Sequence, residues 1–243
     1  MDSDEYLRMA ENSDRHWWYR GTRALLRQLI AQNLSPSDSH LFLDAAGGTG
    51  ATGGWLGALA PTVNADFEQI ALQISAKRCP GYVPVRADLN HLPFTDNSFS
   101  LVVCTTALYH RLVPSPAAVV SEFSRITRPG GLVCLMEPAG QWLWRSHDEV
   151  THAARRFGLR ELEGLAVGAG LDVVKRTGAY TFLVLPAAIM AKFEKGESAS
   201  DVGRNQSGLF GILGALAGIE RLILRRFRLS FGLSAVVLAR KPM

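Results

Sequence analysis

Leu41-Phe42-Leu43-Asp44-Ala45-Ala46-Gly47-Gly48-Thr49-Gly50 decides how the rest of the chain is read. Three apolar residues, an acid and then small residues describe a buried strand ending in a sharp turn. Residues 51–60 (Ala-Thr-Gly-Gly-Trp-Leu-Gly-Ala-Leu-Ala) are expected to begin a helix. A glycine-rich strand-to-helix turn lets backbone N–H groups approach a ligand that a Cβ would hold away, which suits a nucleotide-type cofactor.

Two cofactor classes use such a turn. Gly48, Gly50 and Gly53 satisfy the spacing G-x-G-x-x-G, and Asp66 stands at the distance at which a dinucleotide site places an acid on the ribose. Three features point elsewhere. Asp44 ends the first strand where a dinucleotide strand has an apolar residue. Asp88 ends another strand-like run and opens Asp-Leu-Asn-His-Leu-Pro-Phe. Arg128-Pro129-Gly130-Gly131 precedes the apolar run 132–136.

Together these pieces resemble the class I S-adenosylmethionine-dependent methyltransferases, in particular small bacterial members with a Pro-Gly-Gly turn before the fifth strand. The resemblance is strong over about residues 41–140 and weaker toward the C-terminus. Ala46 stands where the family's Asp-x-Gly-x-Gly-x-Gly has its first glycine, and Ser100 replaces the aspartate usual after Ser-Phe. The resemblance implies an α/β fold: a seven-stranded, mostly parallel Rossmann-like sheet with helices on both faces. Residues 1–35 then form an N-terminal helical arm and 36–178 the cofactor-binding core. Residues 179–231 form a helical insertion or cap, and 232–243 the final strand.

The cofactor implied is S-adenosyl-L-methionine. Asp44, Ala45, Ala46 and Gly48, along the glycine turn, would contact it, and Asp66 would accept the ribose hydroxyls. Phe67 would lie against the adenine, Asp88 would accept from the adenine amine, and the Leu89 N–H would meet a ring nitrogen. Thr105 leaves the fourth strand toward the place where cofactor and acceptor meet. In the arm, Trp17, Trp18 and Tyr19 either staple the chain to the sheet or roof the sulfonium, to which an aromatic face is attracted. Arg20 or Arg23 could pair with the methionine carboxylate, and His16 is a further pocket candidate.

Methyl transfer from a sulfonium asks mainly for alignment and exclusion of water, and for a base only where the acceptor atom must lose a proton. His110 and Tyr109, just past the fourth strand, are the catalytic candidates; His147, His152 and Glu149 are the other bases available. His110 reads equally as a packing histidine. His147-Asp148 reads either as a base with its orienting carboxylate or as a polar helix start, and the latter is preferred. Trp17, Trp18 and His147 are assigned to the acceptor. No metal spacing appears.

Composition sets the remaining bounds. The chain has 243 residues and a net charge of +4, with 47% hydrophobic residues, which fits one globular α/β domain. It carries no long basic tract interleaved with aromatics and no Asn/Asp-Pro-Pro-Tyr/Phe motif after the fourth strand, which speaks against nucleic acid; a small, fairly apolar acceptor such as a natural-product, quinone, sugar or lipid-like intermediate fits better. Three scattered cysteines and an acidic N-terminus without an apolar leader core suit a cytoplasmic protein. Leu209, Ile212, Leu216, Ile219 and Ile223 repeat at 3-4-3-4 spacing, which predicts an amphipathic helix whose apolar seam covers the substrate pocket or a dimer interface. The arginines at its end allow peripheral membrane contact through 208–228, without stable insertion; Lys192 to Ser207 reads as polar connection. The alternatives to methyl transfer are a cyclisation or rearrangement on the same scaffold, or an NAD(P)-dependent oxidoreductase, which would want a Tyr-x-x-x-Lys pair that is missing. Monomer and homodimer are both compatible.

Overall fold

A computed structural model of the protein describes residues 7, 10–35, 37, 39–193 and 207–243. Seven strands form one sheet in the order β3-β2-β1-β4-β5-β7-β6. They are β1 (Phe42–Ala45), β2 (Thr62–Asp66), β3 (Tyr82–Arg86), β4 (Phe99–Thr105), β5 (Thr127–Pro138), β6 (Asp172–Ala179) and β7 (Ser234–Arg240). The first five run parallel, and β7 is antiparallel to both its neighbours. β1 sits at the switch point: the chain builds outward to β3 on one side, then returns to lay β4 on the other, which opens a crevice at the strands' C-terminal ends.

The strands alternate their side chains between two apolar layers. On one face Leu43, Val102, Cys104, Val133 and Val237 meet Val119, Val120 and Phe123 of α3 (Pro116–Ile126) and Leu162 of α5 (Leu159–Gly168). On the other face Phe42, Leu101, Val103, Cys134 and Met136 meet Leu25, Leu26, Leu29 and Ile30 of α1 (Trp17–Ala31). The remaining helices are α2 (Gln69–Arg78), α4 (Ser146–Val150), α6 (Val184–Phe193) and α7 (Ser207–Leu224). The expected seven-stranded, mostly parallel sheet with helices on both faces is present, closed by an antiparallel strand.

Four local expectations change. The helix after the glycine turn is only a 3-10 turn, Leu56–Ala58. A Cβ on Gly57 would lie 2.4 Å from the Pro80 carbonyl oxygen, so this segment is pressed against the start of β3 and has no room to coil fully. Trp142 to Arg156 read in sequence as a helical cap, but the structure has a 3-10 turn, Gln141–Leu143, followed by the short α4. In the arm, Thr22 reads in sequence as the cap of a second helix, but α1 starts at Trp17: His16 caps it by accepting from the Trp18 N–H, and Thr22 spends its hydroxyl on the Tyr180 hydroxyl, 2.7 Å away. Gly21 is therefore inside the helix, where a Cβ would come within 3.1 Å of the Tyr180 hydroxyl. Its smallness lets β6 and the insertion close onto α1.

The insertion brings the largest change. α7 packs on α1 and joins the second core layer through Ala217 and Leu224. Glu220, on the same inner face, accepts from the Thr181 N–H at 2.7 Å and from the Tyr180 N–H. The predicted seam of Leu209, Ile212, Leu216, Ile219 and Ile223 is exposed. It does not cover the substrate pocket, because the small residues and the bonded acid occupy the face that touches the sheet layer. Residues 5–6 of the predicted first helical piece and 194–206 of the polar connection lie outside the described residues.

Side-chain facing can be checked directly. Phe123→Ala, at a fully buried position, should cost about 3–5 kcal/mol and lower the urea midpoint at unchanged slope. Ile219→Ala, on the exposed seam, should change stability by less than ~0.5 kcal/mol. A large cost for the second would mean that this face is covered.

Candidate active site

The crevice at the C-terminal ends of β1, β2 and β4 is floored by the glycine turn. Ala46, Gly48 and Gly50 take positive φ values of 55°, 54° and 76°, which swing the chain away from the strand. A Cβ on Gly48 would meet nothing nearer than Asp66 Oδ2 at 3.9 Å, so the space before the turn is open with a carboxylate at its edge. Asp66 Oδ2 accepts from the Gly48 N–H at 2.8 Å and Oδ1 from the Glu68 N–H at 2.9 Å. Asn64 donates to the Gly48 carbonyl at 3.0 Å. Burial pushes the Asp66 carboxyl above its ordinary pKa, while these bonds from Glu68 and Gly48 pull it back.

Asp44 lies beneath the turn. It is buried, and its Oδ2 accepts from the Tyr82 hydroxyl at 2.8 Å. A Cβ on Gly47 would come within 2.4 Å of that carboxylate and one on Gly53 within 2.1 Å, so two glycines enclose it. Burial raises Asp44 to about 7, against the pull of the Tyr82 hydrogen bond.

From the arm, Arg23 donates to the Ala51 carbonyl at 2.7 Å, and Arg78 reaches the Thr49 carbonyl at 3.3 Å. Arg20 is exposed; of the two arginines named for the cofactor, Arg23 is the one the structure brings to the turn. Tyr19 is buried against Trp18, with ring centroids 4.9 Å apart, and burial raises its hydroxyl to about 12. Trp17 packs edge-on to Tyr180 at 5.6 Å and on Phe182 at 6.3 Å. These are contacts of a staple between the arm and the start of the insertion. His16, besides its cap, meets Phe210 edge-on at 4.9 Å.

Along the other wall, Phe67 is exposed with the Arg86 guanidinium 5.6 Å from its ring centre. Asp88 is exposed, and its Oδ1 is held by the Asn90 N–H at 2.9 Å; Leu89 is buried beside it. Thr105, at the end of β4, donates to the Thr52 hydroxyl at 3.3 Å.

Past β4 the key residue is one that sequence reading gave no role. Glu137, fully buried at the end of β5, accepts from the Ala107, Leu108 and Tyr109 N–H groups at 3.1, 3.0 and 3.3 Å. One carboxyl thus fixes the loop that carries both catalytic candidates, and burial raises it to about 8. The available signal was an acid followed by proline at the end of an otherwise apolar strand. Burial holds the Tyr109 hydroxyl up at about 12, so it stays protonated near neutrality. His110 is held below its ordinary pKa by partial burial, then by His152 and Arg111. Its Nδ1 accepts from the Leu112 N–H at 3.1 Å, so the neutral ring carries its proton on Nε2 and offers a donor there. His152 is exposed, with its ring 5.9 Å from that of His110.

Asp148 is not an orienting carboxylate for His147. It forms a two-pronged ion pair with Arg156, at 2.8 and 2.9 Å, and accepts from the Arg145 N–H that starts α4. The polar helix start is the structural role. No cluster among the described residues has the makings of a metal site.

The sheet order, the closing antiparallel strand and the glycine turn at the switch point define a class I methyltransferase fold. Residues 43–135 match the family Methyltransf_11, a methyltransferase domain. The chain is 35% identical over 119 residues to the uncharacterized methyltransferase YodH of Bacillus subtilis, covering 45% of this chain and 48% of that protein. It is 33% identical over 121 residues to the demethylmenaquinone methyltransferase of Clavibacter sepedonicus, covering 48% and 49%. The match thus spans about half the length of each relative. Among solved structures, the complex of a Haloferax volcanii methyltransferase with its Trm112 activator aligns over 99% of this chain and 95% of that one, with TM-score 0.64 at 20% identity. The phosphoethanolamine N-methyltransferase 2 of Haemonchus contortus, in complex with S-adenosyl-L-methionine, aligns over 90% of this chain and 53% of that one, with TM-score 0.59 at 15% identity. The chain thus has the class I methyltransferase fold, and residues 43–135 match a methyltransferase domain.

Asp44 and Glu137 make stability depend on pH in a defined direction. Both hold their protons in the folded state to about 7 and about 8, whereas an unfolded carboxyl releases its proton near 4. Between those limits the folded state binds more protons, so stability falls as pH rises, by on the order of a few kcal/mol. Thermal unfolding should show a lower Tm at pH 8 than at pH 5, and Asp44→Asn with Glu137→Gln should flatten the slope. A Tm that rises across that window would contradict these environments.

Proposed function

We propose that the protein transfers a methyl group from S-adenosyl-L-methionine to a small, fairly apolar acceptor of the quinone or lipid-like class. The observation that carries the cofactor is the open face of the glycine turn, with Gly48 free of any near neighbour and Asp66 at its edge. A Cβ-free turn with a rim carboxylate suits a ribose, since each Asp66 oxygen keeps lone-pair capacity beyond its backbone bond. In this reading Ala45, Ala46 and Gly48 pass close to the amino-acid end, with Arg23 and Arg78 adding positive charge near a carboxylate. Phe67, Asp88 and Leu89 border the adenine, and Thr105 lies toward the methyl group. Asp44 takes part through the turn it holds. Residues 1–35 serve as arm, 36–178 as cofactor core, 179–231 as insertion and 232–243 as closing strand of one catalytic unit, working in the cytoplasm.

S-adenosylmethionine, when bound, supplies an electrophilic methyl on a sulfonium. The residues past β4 would align an acceptor with that methyl, and any proton the acceptor loses would pass to water. The residues past β4 favour orientation over proton abstraction. His110 presents an N–H from Nε2 and Tyr109 a protonated hydroxyl, while Glu137 fixes the loop beneath both. An acceptor atom that is already electron-rich, as in a hydroquinone ring, needs no stronger base. The demethylmenaquinone methyltransferases among the relatives support that acceptor class.

Calorimetric titration with S-adenosylhomocysteine should show micromolar binding, and Asp66→Asn should weaken it roughly 10- to 100-fold, the worth of hydrogen bonds to a charged group. A demethylated quinol should then gain the mass of one methyl. Binding of NADH with no binding of S-adenosylhomocysteine would overturn the reading.

A further inference from the structure

We infer that α6, α7 and Trp142 form a docking surface for an anionic lipid bilayer, on which the enzyme sits without crossing it. The outward face of α7 is wholly apolar: Ile212 (60% exposed), Leu216, Ile219, Leu222 and Ile223 all face solvent. From Ser207 to Ile219 the helix carries no charged residue, and the one acid that follows, Glu220, is buried and bonded to the backbone at the start of the insertion. α6 repeats the pattern with Leu185 (70% exposed), Ile189 and Met190. It packs against the 3-10 turn that carries Trp142, itself 65% exposed. Exposed apolar helix faces with a tryptophan beside them match the composition of helices that lie in the plane of a membrane interface. No helix among the described residues is long and apolar enough to span a bilayer.

Charge selects the occupant. Arg225, Arg226 and Arg228 follow α7 and are exposed, and Arg221 is partly so. Among the described residues, Arg225 and Arg226 pair with no carboxylate. Together with Gln32 and Leu222 they line a hollow of about 470 Å³. Two guanidiniums and an amide beside an apolar side chain suit a lipid phosphate whose chain runs along Leu222. A second copy of this chain fits less well: α7 against α7 would bury the seam but bring no acid to the arginines, since Glu220 is already used.

The test is flotation of the full chain with vesicles of phosphatidylcholine alone and of phosphatidylcholine mixed with phosphatidylglycerol. We expect binding to the anionic vesicles only, weakened by salt. Arg225→Gln with Arg226→Gln should weaken it roughly 25-fold, about fivefold per arginine, and Ile212→Asp with Ile219→Asp should abolish it. Both pairs lie on the surface, so circular dichroism and S-adenosylhomocysteine titration should match the wild type; the latter also separates this inference from the cofactor reading. Failure of the wild type to bind anionic vesicles would overturn the proposal. So would variants that bind like the wild type, or a dimer in light scattering that Ile212→Asp with Ile219→Asp dissociates while vesicle binding persists.

Discussion

One buried carboxyl ties the cofactor turn to the sheet. Asp44 has no water to solvate it, and the Tyr82 hydroxyl from β3 is its hydrogen-bonding partner. Desolvating an acid is costly unless it is paired or neutral, and here both routes operate: a donor at 2.8 Å and a pKa raised to about 7. The geometry this demands spreads outward. Gly47 and Gly53 must lack side chains because the carboxyl fills the space where a Cβ would go. With those positions settled, Gly48 turns its N–H to Asp66, and the open side of the turn faces the crevice. The acid at the end of β1 therefore acts as the peg around which the cofactor turn is wound.

Glu137 plays the corresponding part on the other side of the switch point. Its two oxygens gather three successive N–H groups of the loop after β4, groups that would otherwise be unsatisfied where the chain leaves the sheet. Two acids, on the strands that flank β4, thus hold the two loops between which a cofactor and an acceptor would meet. Both are nearly anhydrous, so the loops are positioned by bonds that bulk water does not compete for.

The sheet was legible because strand signals in this chain are strong and local: short apolar runs, each closed by an acid, a glycine or a proline. β4, read as Phe99 to Thr105, comes out with those bounds, whereas β5, read as Gly131 to Met136, extends from Thr127 to Pro138. Helices were less legible where long-range contacts override local pattern. Gly21 reads as a break, yet the helix continues through it because Tyr180, far along the chain, needs the space. Gly57 reads as tolerable within a helix, yet Pro80 forbids one. In the site, the rim acids announced themselves by their place at strand ends. The partnerships Asp44–Tyr82, Asp148–Arg156 and Glu137 with its loop depend on which strand lies beside which, and one-dimensional spacing does not contain that.

α7 shows the limit of periodicity most clearly. An apolar seam on a helix is ordinarily the face that packs, and by that rule Leu209 to Ile223 belong inside. The inward face instead uses Ala217 and the bonded Glu220, because the helix approaches α1 at Gly21, where only small side chains fit. Close backbone approach won over hydrophobic area. Leu209, Ile212, Leu216, Ile219 and Ile223 were left outside in a continuous strip, with arginines at its end of which Arg225 and Arg226 pair with no carboxylate among the described residues. Apolar surface held in water costs about 25 cal/mol per Å². A helix that buries Ala217, Glu220 and Leu224 but leaves those large apolar residues in solvent is arranged for a second, apolar surface, and the arginines specify the charge of what that surface carries.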